Sequence, residues 1–440
     1  MKKIISLLLV LTSVFTYAQQ TTNNVSVSLK QAIDAGLKNR YDIQAQKYNV
    51  AVANNSISKT KKEWIPDVSG SALARYNPQI QATYIPGGFL GPSPPSLVAL
   101  GAKSVSVFGL DLNQNIFKPA ITTDVKIAKN NLAIQQEKNK QDENNIKEEI
   151  IKSYLNVLLK ELQAKISTND EQRYKEYLEV AEGKFKLGSL IENDYLKAKL
   201  DYENAKLETA KAKQSYSLAI DNVKYQINVP IETQVQLTDS LNSLFVASEQ
   251  LATKGDANNR TEITQLVLQQ EANKLWISKN RQNALPSLGF FANYSQQFTY
   301  TNFDYGLHQW WSPFNYLGLK LSVPITSNFK NYNSIQEYRF KSQQTDLALK
   351  QKTADINYEI QKASTELSNA SKNMQTTKSN YELSQVIYQN QKQQYKIGSL
   401  LYSSLLDTDK TLSATEQNYI KSVYDYLLAT VNYQKALGNY

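Results

Sequence analysis

The sequence predicts a mainly α-helical chain with a smaller β portion, built as two structural repeats. Three observations carry this: an ordered internal duplication, two very long stretches without proline, and four short segments whose apolar residues alternate with polar ones. Self-similarity at a fixed offset is the mark of repeated structural units.

The duplication is direct. At an offset of about 220 residues, Asn39-Arg40 falls on Asn259-Arg260, Ile57-Ser58-Lys59 on Ile277-Ser278-Lys279, and Pro66 on Pro286. Farther on the offset becomes about 210, and Lys186-Leu187-Gly188-Ser189-Leu190 falls on Lys396-Ile397-Gly398-Ser399-Leu400. The change falls where segment 78–103 exceeds its counterpart near 299–314, as expected of a loop insertion. Each copy reads helix, strand, strand, long helix, turn, helix. The first repeat is expected over 19–230, a linker over 231–255, and the second repeat over 256–440.

Each repeat opens with a helix, roughly 28–62 and 256–283, ended by Pro66 or Pro286. Proline restrains the residue before it to extended geometry, so it marks the switch to strand. Strands are expected at 65–77, 104–117, 285–298 and 315–326. In the third, Leu288, Phe290, Ala292 and Tyr294 alternate with Gly289, Phe291, Asn293 and Ser295; in the fourth, Leu317, Leu319, Leu321 and Val323 alternate with Gly318, Lys320 and Ser322. A soluble sheet with one buried face has this pattern, and so has a membrane barrel with one lipid face and one wet face. Four strands alone are too few to close a barrel. The intervening segments favour the membrane: 78–103 is rich in proline and glycine, and 299–314 carries Tyr300, Phe303, Tyr305, Trp310 and Trp311.

Pro119 suits a first helical turn, and no proline follows before Leu187. Helix 119–187 would be roughly 100 Å long if continuous. Its counterpart is 329–397, and partner helices are expected at 190–228 and 400–437. Such lengths point to coiled-coil packing. Gly188 can take the left-handed conformation that ends a helix. Ser189 with Glu192 reads as a capping box for the next helix. The second turn has Tyr402 in place of the glutamate, so it should be less firmly capped.

Composition excludes much. The chain has no cysteine, so disulfides, thiolate chemistry and a lipidated N-terminal cysteine are not expected. Met1-Lys2-Lys3, the apolar run Ile4 to Val14 and Thr16-Tyr17-Ala18 read as a signal peptide over 1–18. The net charge of +9 is spread along the chain, so no nucleic-acid face is expected. The single histidine, His308, lacks a ligand cluster, and no phosphate-binding glycine loop or paired nucleophile occurs. No enzyme, cofactor or metal site is expected.

Taken together, the order of these motifs resembles the TolC family of outer-membrane efflux and secretion channels. The likeness rests on the Val27-Ser28-Leu29-Lys30-Gln31-Ala32 helix start, the Ile65-Pro66 and Leu285-Pro286 strand starts, the paired glycine turns and the Lys435-Ala436-Leu437-Gly438 ending. The resemblance implies a homotrimer in which each subunit gives four strands to one 12-stranded transmembrane barrel and its helices to a periplasmic α-barrel. It implies a conduit through outer membrane and periplasm, working with a membrane-fusion adaptor and an inner-membrane pump of RND, ABC or MFS type. The cargo would be small molecules such as drugs and toxic compounds. Type I protein secretion is an alternative, and a soluble periplasmic coiled-coil scaffold or adaptor is a rival of another class.

The resemblance also assigns positions. Lys186, Leu187, Gly188, Ser189, Leu190, Lys396, Ile397, Gly398, Ser399 and Leu400 match the adaptor-contact tips. Asp194 and Tyr395 match members of the closing network, whose arginine is here Leu400, so the latch must differ or be weaker. Asp407 matches a pore-lining carboxylate whose companion is here Ser404. Three copies of Asp407 around an axis would form a cation-favouring ring; alternatively, Asp407 and Asp409 are simply solvated.

Overall fold

The structure is a computed structural model that describes residues 24–88, 94–249, 260–397 and 399–439. The signal segment 1–18, residues 250–255 of the expected linker, and Gly398 lie outside the described residues. In chain order the elements are strand β1 (Asn24–Val27), helices α1 (Leu29–Asn39) and α2 (Tyr41–Lys61), and strands β2 (Asp67–Tyr76), β3 (Ala82–Ile85), β4 (Ser96–Ala99) and β5 (Ser104–Phe117). Helices α3 (Pro119–Lys186) and α4 (Glu192–Gln226), strand β6 (Gln234–Leu237), and helices α5 (Leu241–Glu249) and α6 (Thr261–Gln282) follow. Strands β7 (Ser287–Tyr300) and β8 (Trp311–Ser322) and helices α7 (Ser327–Lys396) and α8 (Tyr402–Ala436) complete the chain. Among the described residues no helix is long and apolar enough to cross a membrane.

The chain divides into two compact units that do not follow the repeats. One takes 48–137 and 264–350; the other takes 1–47, 138–263 and 351–440. Each draws on both repeats because the long helices α3 and α7 carry the chain from one unit into the other.

The first unit holds an antiparallel sheet in the order β2-β5-β7-β8. Its register sets Val68, Leu112, Ala292 and Leu317 in one row, with Gly70, Leu110 and Tyr294 in the next row on the same face. On this face Val68, Leu110, Leu317, Leu319 and Leu321 are exposed; Leu317 is 76% exposed. The other face is mostly polar. There Asn293 donates to Asp111 at 2.8 Å and accepts from Ser295 at 2.8 Å. Phe291 covers Gly318, where an added Cβ would lie 2.9 Å from the ring. Segment 78–103, expected as a loop, contains a hairpin of β3 and β4. Strand-forming Thr83-Tyr84-Ile85 and Leu97-Val98 can pair on either side of the Pro/Gly-rich stretch. Below the sheet, Trp276 stacks on Tyr338 at 5.4 Å and Lys279 pairs with Asp124 at 2.6 Å.

The second unit is built on helical hairpins. The helix expected over 28–62 is two helices here, broken at Arg40, whose ψ is 135°. Ser28 and Gln31 form a reciprocal capping box at the start of α1. Strand β1 pairs in parallel with β6, two strands that periodicity did not reveal because each has only 4 residues. The core gathers Ile150, Tyr154, Leu158, Val223, Ile227 and Leu427. The Tyr154 hydroxyl donates to Val27 O (3.0 Å) and Asp239 Oδ2 (2.9 Å), and Asp239 Oδ2 also accepts from Leu29 N–H (2.7 Å). One residue thereby fastens α3 to β1 and to the start of α1.

The repeated arginines do the same work twice. Arg40 pairs with Asp42 at 2.7 Å and with Glu149 at 3.5 Å, and donates to Gln226. Arg260 pairs with Glu262 at 2.5 Å and Glu359 at 2.7 Å, and reaches Ala436 O. Gln226 and Ala436 each end the shorter helix of their hairpin.

The α7–α8 hairpin carries a ladder of polar rungs, each a heptad from the next. Thr377 meets Ser422 at 2.6 Å, Ser384 meets Thr415 at 2.6 Å, and Thr408 donates to Gln391 at 2.5 Å. Side chains repeating every seven residues stay on one seam. The same period places Tyr381, Tyr388 and Tyr395 along α7.

Candidate functional site

Both hairpin tips are sharply built turns. Gly188 has φ +72°. Its N–H donates to Phe185 O (2.9 Å), and the Ser189 N–H donates to Lys184 O (2.9 Å). This pair of bonds is the Schellman ending, which needs a residue with left-handed backbone, and glycine pays no Cβ penalty there. The capping box expected of Ser189 is not formed. Helix α4 has Ile191 as its N-cap, without a side-chain cap. The Ser189 hydroxyl instead donates back to Lys184 O at 3.0 Å. The Schellman turn holds Ser189 over the carbonyl end of α3, too early in the chain to reach the first N–H groups of α4. The second turn behaves alike: Ser399 Oγ donates to Gln394 O at 3.1 Å, and Leu401 caps α8 without a side-chain bond. The expected contrast in capping is therefore absent. The turns differ in charge, since Glu192 and Asp194 lie in the first turn of α4 and α8 has no acid there. Acids at that end suit the helix dipole.

The tips present aliphatic side chains to solvent. Leu187 is 84% and Ile397 80% exposed, and Ile191 and Leu401 match them one turn on. Lys186 pairs with Glu182 at 2.6 Å, Lys396 is exposed, and Leu190 is half-buried. Behind the tips, Phe185 stacks on Tyr195 at 5.2 Å. The Lys184 ammonium sits 4.7 Å above the Tyr395 ring, which packs on Tyr402. Leu400 packs into the small core above. Asp194 and Asp407 are exposed.

Asp409, solvated in the alternative reading of Asp407, is 0% exposed. It accepts from Arg173 Nε at 2.7 Å. Arg173 also pairs with Asp170, which accepts from Ser413 at 2.5 Å. Asp409 Oδ2 has no hydrogen-bond partner among the described residues. Burial pushes the Asp409 carboxyl above its ordinary value, against the pull of Arg173. Beside it Tyr177 and Tyr388 share a hydroxyl bond of 2.9 Å. This cluster joins α3, α7 and α8 behind the tips. The heptad of tyrosines was the signal that could have located it; nothing local marked Arg173 or Asp409.

The duplicated architecture has many counterparts. An outer membrane efflux protein family model matches residues 32–224 and 257–439. Among solved structures, CusC, a protein that forms a transmembrane channel, is 17% identical with a TM-score of 0.74, over 97% of this chain and 95% of that one. The Campylobacter jejuni CmeC outer membrane channel is 15% identical with a TM-score of 0.71, covering 96% and 90%. The Vibrio cholerae outer membrane protein VceC is 13% identical with a TM-score of 0.69, covering 93% and 96%. No curated protein sequence matches the chain. A sheet with one exposed apolar face fits an outer-membrane location. In duplicated sequence, in fold and in both halves of the family match, this chain belongs to the outer membrane efflux protein family.

Proposed function

We propose that three copies of this chain form one continuous conduit that exports small toxic molecules, together with a periplasmic adaptor and an inner-membrane pump. The supporting observation is the sheet. It has four strands, unpaired edges at β2 and β8, and one exposed apolar face. Four strands cannot close alone, and open edges are not tolerated in lipid. Edge-to-edge joining of β8 to the β2 of the next copy removes both problems and gives 12 strands, as the family resemblance implies.

The tips would be the adaptor surface, with Leu187, Gly188, Ser189 and Leu190 on one hairpin and Ile397, Gly398, Ser399 and Leu400 on the other, flanked by Lys186 and Lys396. The pump, of RND, ABC or MFS type, supplies the energy; the channel binds no cofactor and breaks no bond. Purified protein should run as a heat-modifiable trimer and conduct ions in planar bilayers. A water-soluble, non-conducting monomer would overturn the proposal.

Asp194, Tyr395 and Asp407 are assigned to the constriction. Three Asp407 carboxylates around the axis would attract cations. Asp407→Asn should therefore weaken block of single-channel current by divalent cations. Unchanged block would remove Asp407 from the constriction and leave the conduit itself standing.

A further inference from the structure

The segment after β7, Thr301 to Trp310, does not stand clear of the sheet. It folds back over the end of the apolar face. Phe108, Phe298 and Trp311 lie on that face, in the rows beyond Leu110 and Tyr294. Tyr305 packs on all three, with ring centroids 6.5, 5.1 and 6.0 Å away. Phe303 lies 6.4 Å from Tyr76 on the same side. Under this cover Phe298, Ser104 and Ser106 are completely buried.

Two serines on a face turned toward lipid would be costly, because acyl chains offer no hydrogen bonds. The segment supplies the partners. Ser106 Oγ bonds Tyr305 Oη at 2.9 Å, and Ser104 Oγ donates to Thr301 O at 3.4 Å. Trp311 Nε1 donates to Tyr305 O at 3.1 Å. The outer surface of the cover is again aromatic: Phe303, Tyr305 and Trp310 are each about two-fifths exposed. Depth fits as well. From Leu321 to Trp311 the strand covers about 25 Å of bilayer thickness, taking ~3.3 Å per residue and a tilt near 40°.

We propose that Thr301–Trp310 is an anchor for the outer lipid leaflet. It seats Phe303, Tyr305 and Trp310 at the boundary of headgroups and acyl chains while sealing Ser104 and Ser106 from the hydrocarbon. The occupant is the bilayer interface itself, beyond the lipid-facing rows of Leu317, Leu319 and Leu321 and separated from them by the rows of Asn315 and Pro313. The amphipathic indole of Trp310 settles at that boundary, and the exposed ring surfaces of Phe303 and Tyr305 extend its apolar side. The proposal rests on the membrane reading of the sheet.

The test uses the full chain in liposomes. W64F/W276F leaves Trp310 and Trp311 as the only tryptophans. Their emission should be quenched strongly by lipids brominated near the headgroup end of the acyl chain, less by lipids brominated near the chain terminus, and least by iodide in the water. If that variant fails to assemble, the loss of quenching from wild type to W310F/W311F gives the same quantity by difference. Protein that floats with the vesicles and conducts, yet is quenched mainly by iodide, overturns the anchor alone. Protein that neither floats nor conducts overturns the membrane reading beneath it.

Discussion

Replacing Arg173 by alanine should destabilise the helical unit by about 3–5 kcal/mol, the usual cost of removing one partner from a buried ion pair. The effect belongs at the top of that range. Arg173 serves both Asp170 and Asp409, so its loss leaves the fully buried Asp409, near Tyr177, with no cation bonded to it, and leaves Asp170 with only the Ser413 hydroxyl. Arg173→Met with Asp409→Leu should recover most of the loss, because apolar residues of similar volume often replace a buried pair without cost. The measurement is the thermal midpoint of detergent-solubilised protein. A midpoint unmoved in the single variant would mean that the pair holds nothing together.

The same carboxyl gives a pH dependence of definite sign. Burial raises the Asp409 value above the ordinary one. Between the two values the folded chain keeps a proton that the unfolded chain has released. The contribution of Asp409 to stability is thus full in acid, below the ordinary carboxylate range, and is lost as pH rises through the raised value. Asp409→Asn removes this slope while keeping the shape, so the midpoints of the two proteins should differ in their pH profile and not merely in offset.

Placing a charge on the apolar face of the sheet should have the second large effect. Leu317→Arg sits near the middle of the lipid-facing rows and should cost about 2–4 kcal/mol per subunit. Ser69→Arg lies on the other face, in the row of Asp111 and Asn293, and should cost less than about 1 kcal/mol. Folding yield into liposomes at fixed denaturant reads the difference. Equal losses would mean that the two faces do not separate lipid from water.

Several features could be read without coordinates because they are local. A proline placed before a strand, a period of two, a heptad and a glycine at a helix end act within a few residues of themselves. Hence the long helices, the order of β2, β5, β7 and β8, the register faces of β7 and β8 and the left-handed Gly188 followed from patterns in the chain. The duplicated Arg40 and Arg260 were visible as a repeat, though not as clamps, since their acceptors Gln226 and Ala436 lie at the far ends of other helices.

What tertiary structure alone decided is which polar residue stays wet. Asp407 and Asp409 are two positions apart on one helix and chemically identical, yet the first is exposed and the second fully buried. The difference comes from Arg173, which lies 236 positions away in the chain. Ser189 likewise matched a cap in sequence and closes the preceding helix in space. The aromatic segment after β7 was legible as composition, but its fold-back over Ser104 and Ser106 was not. Periodicity is set by neighbours along the chain; burial is set by whichever distant side chains arrive.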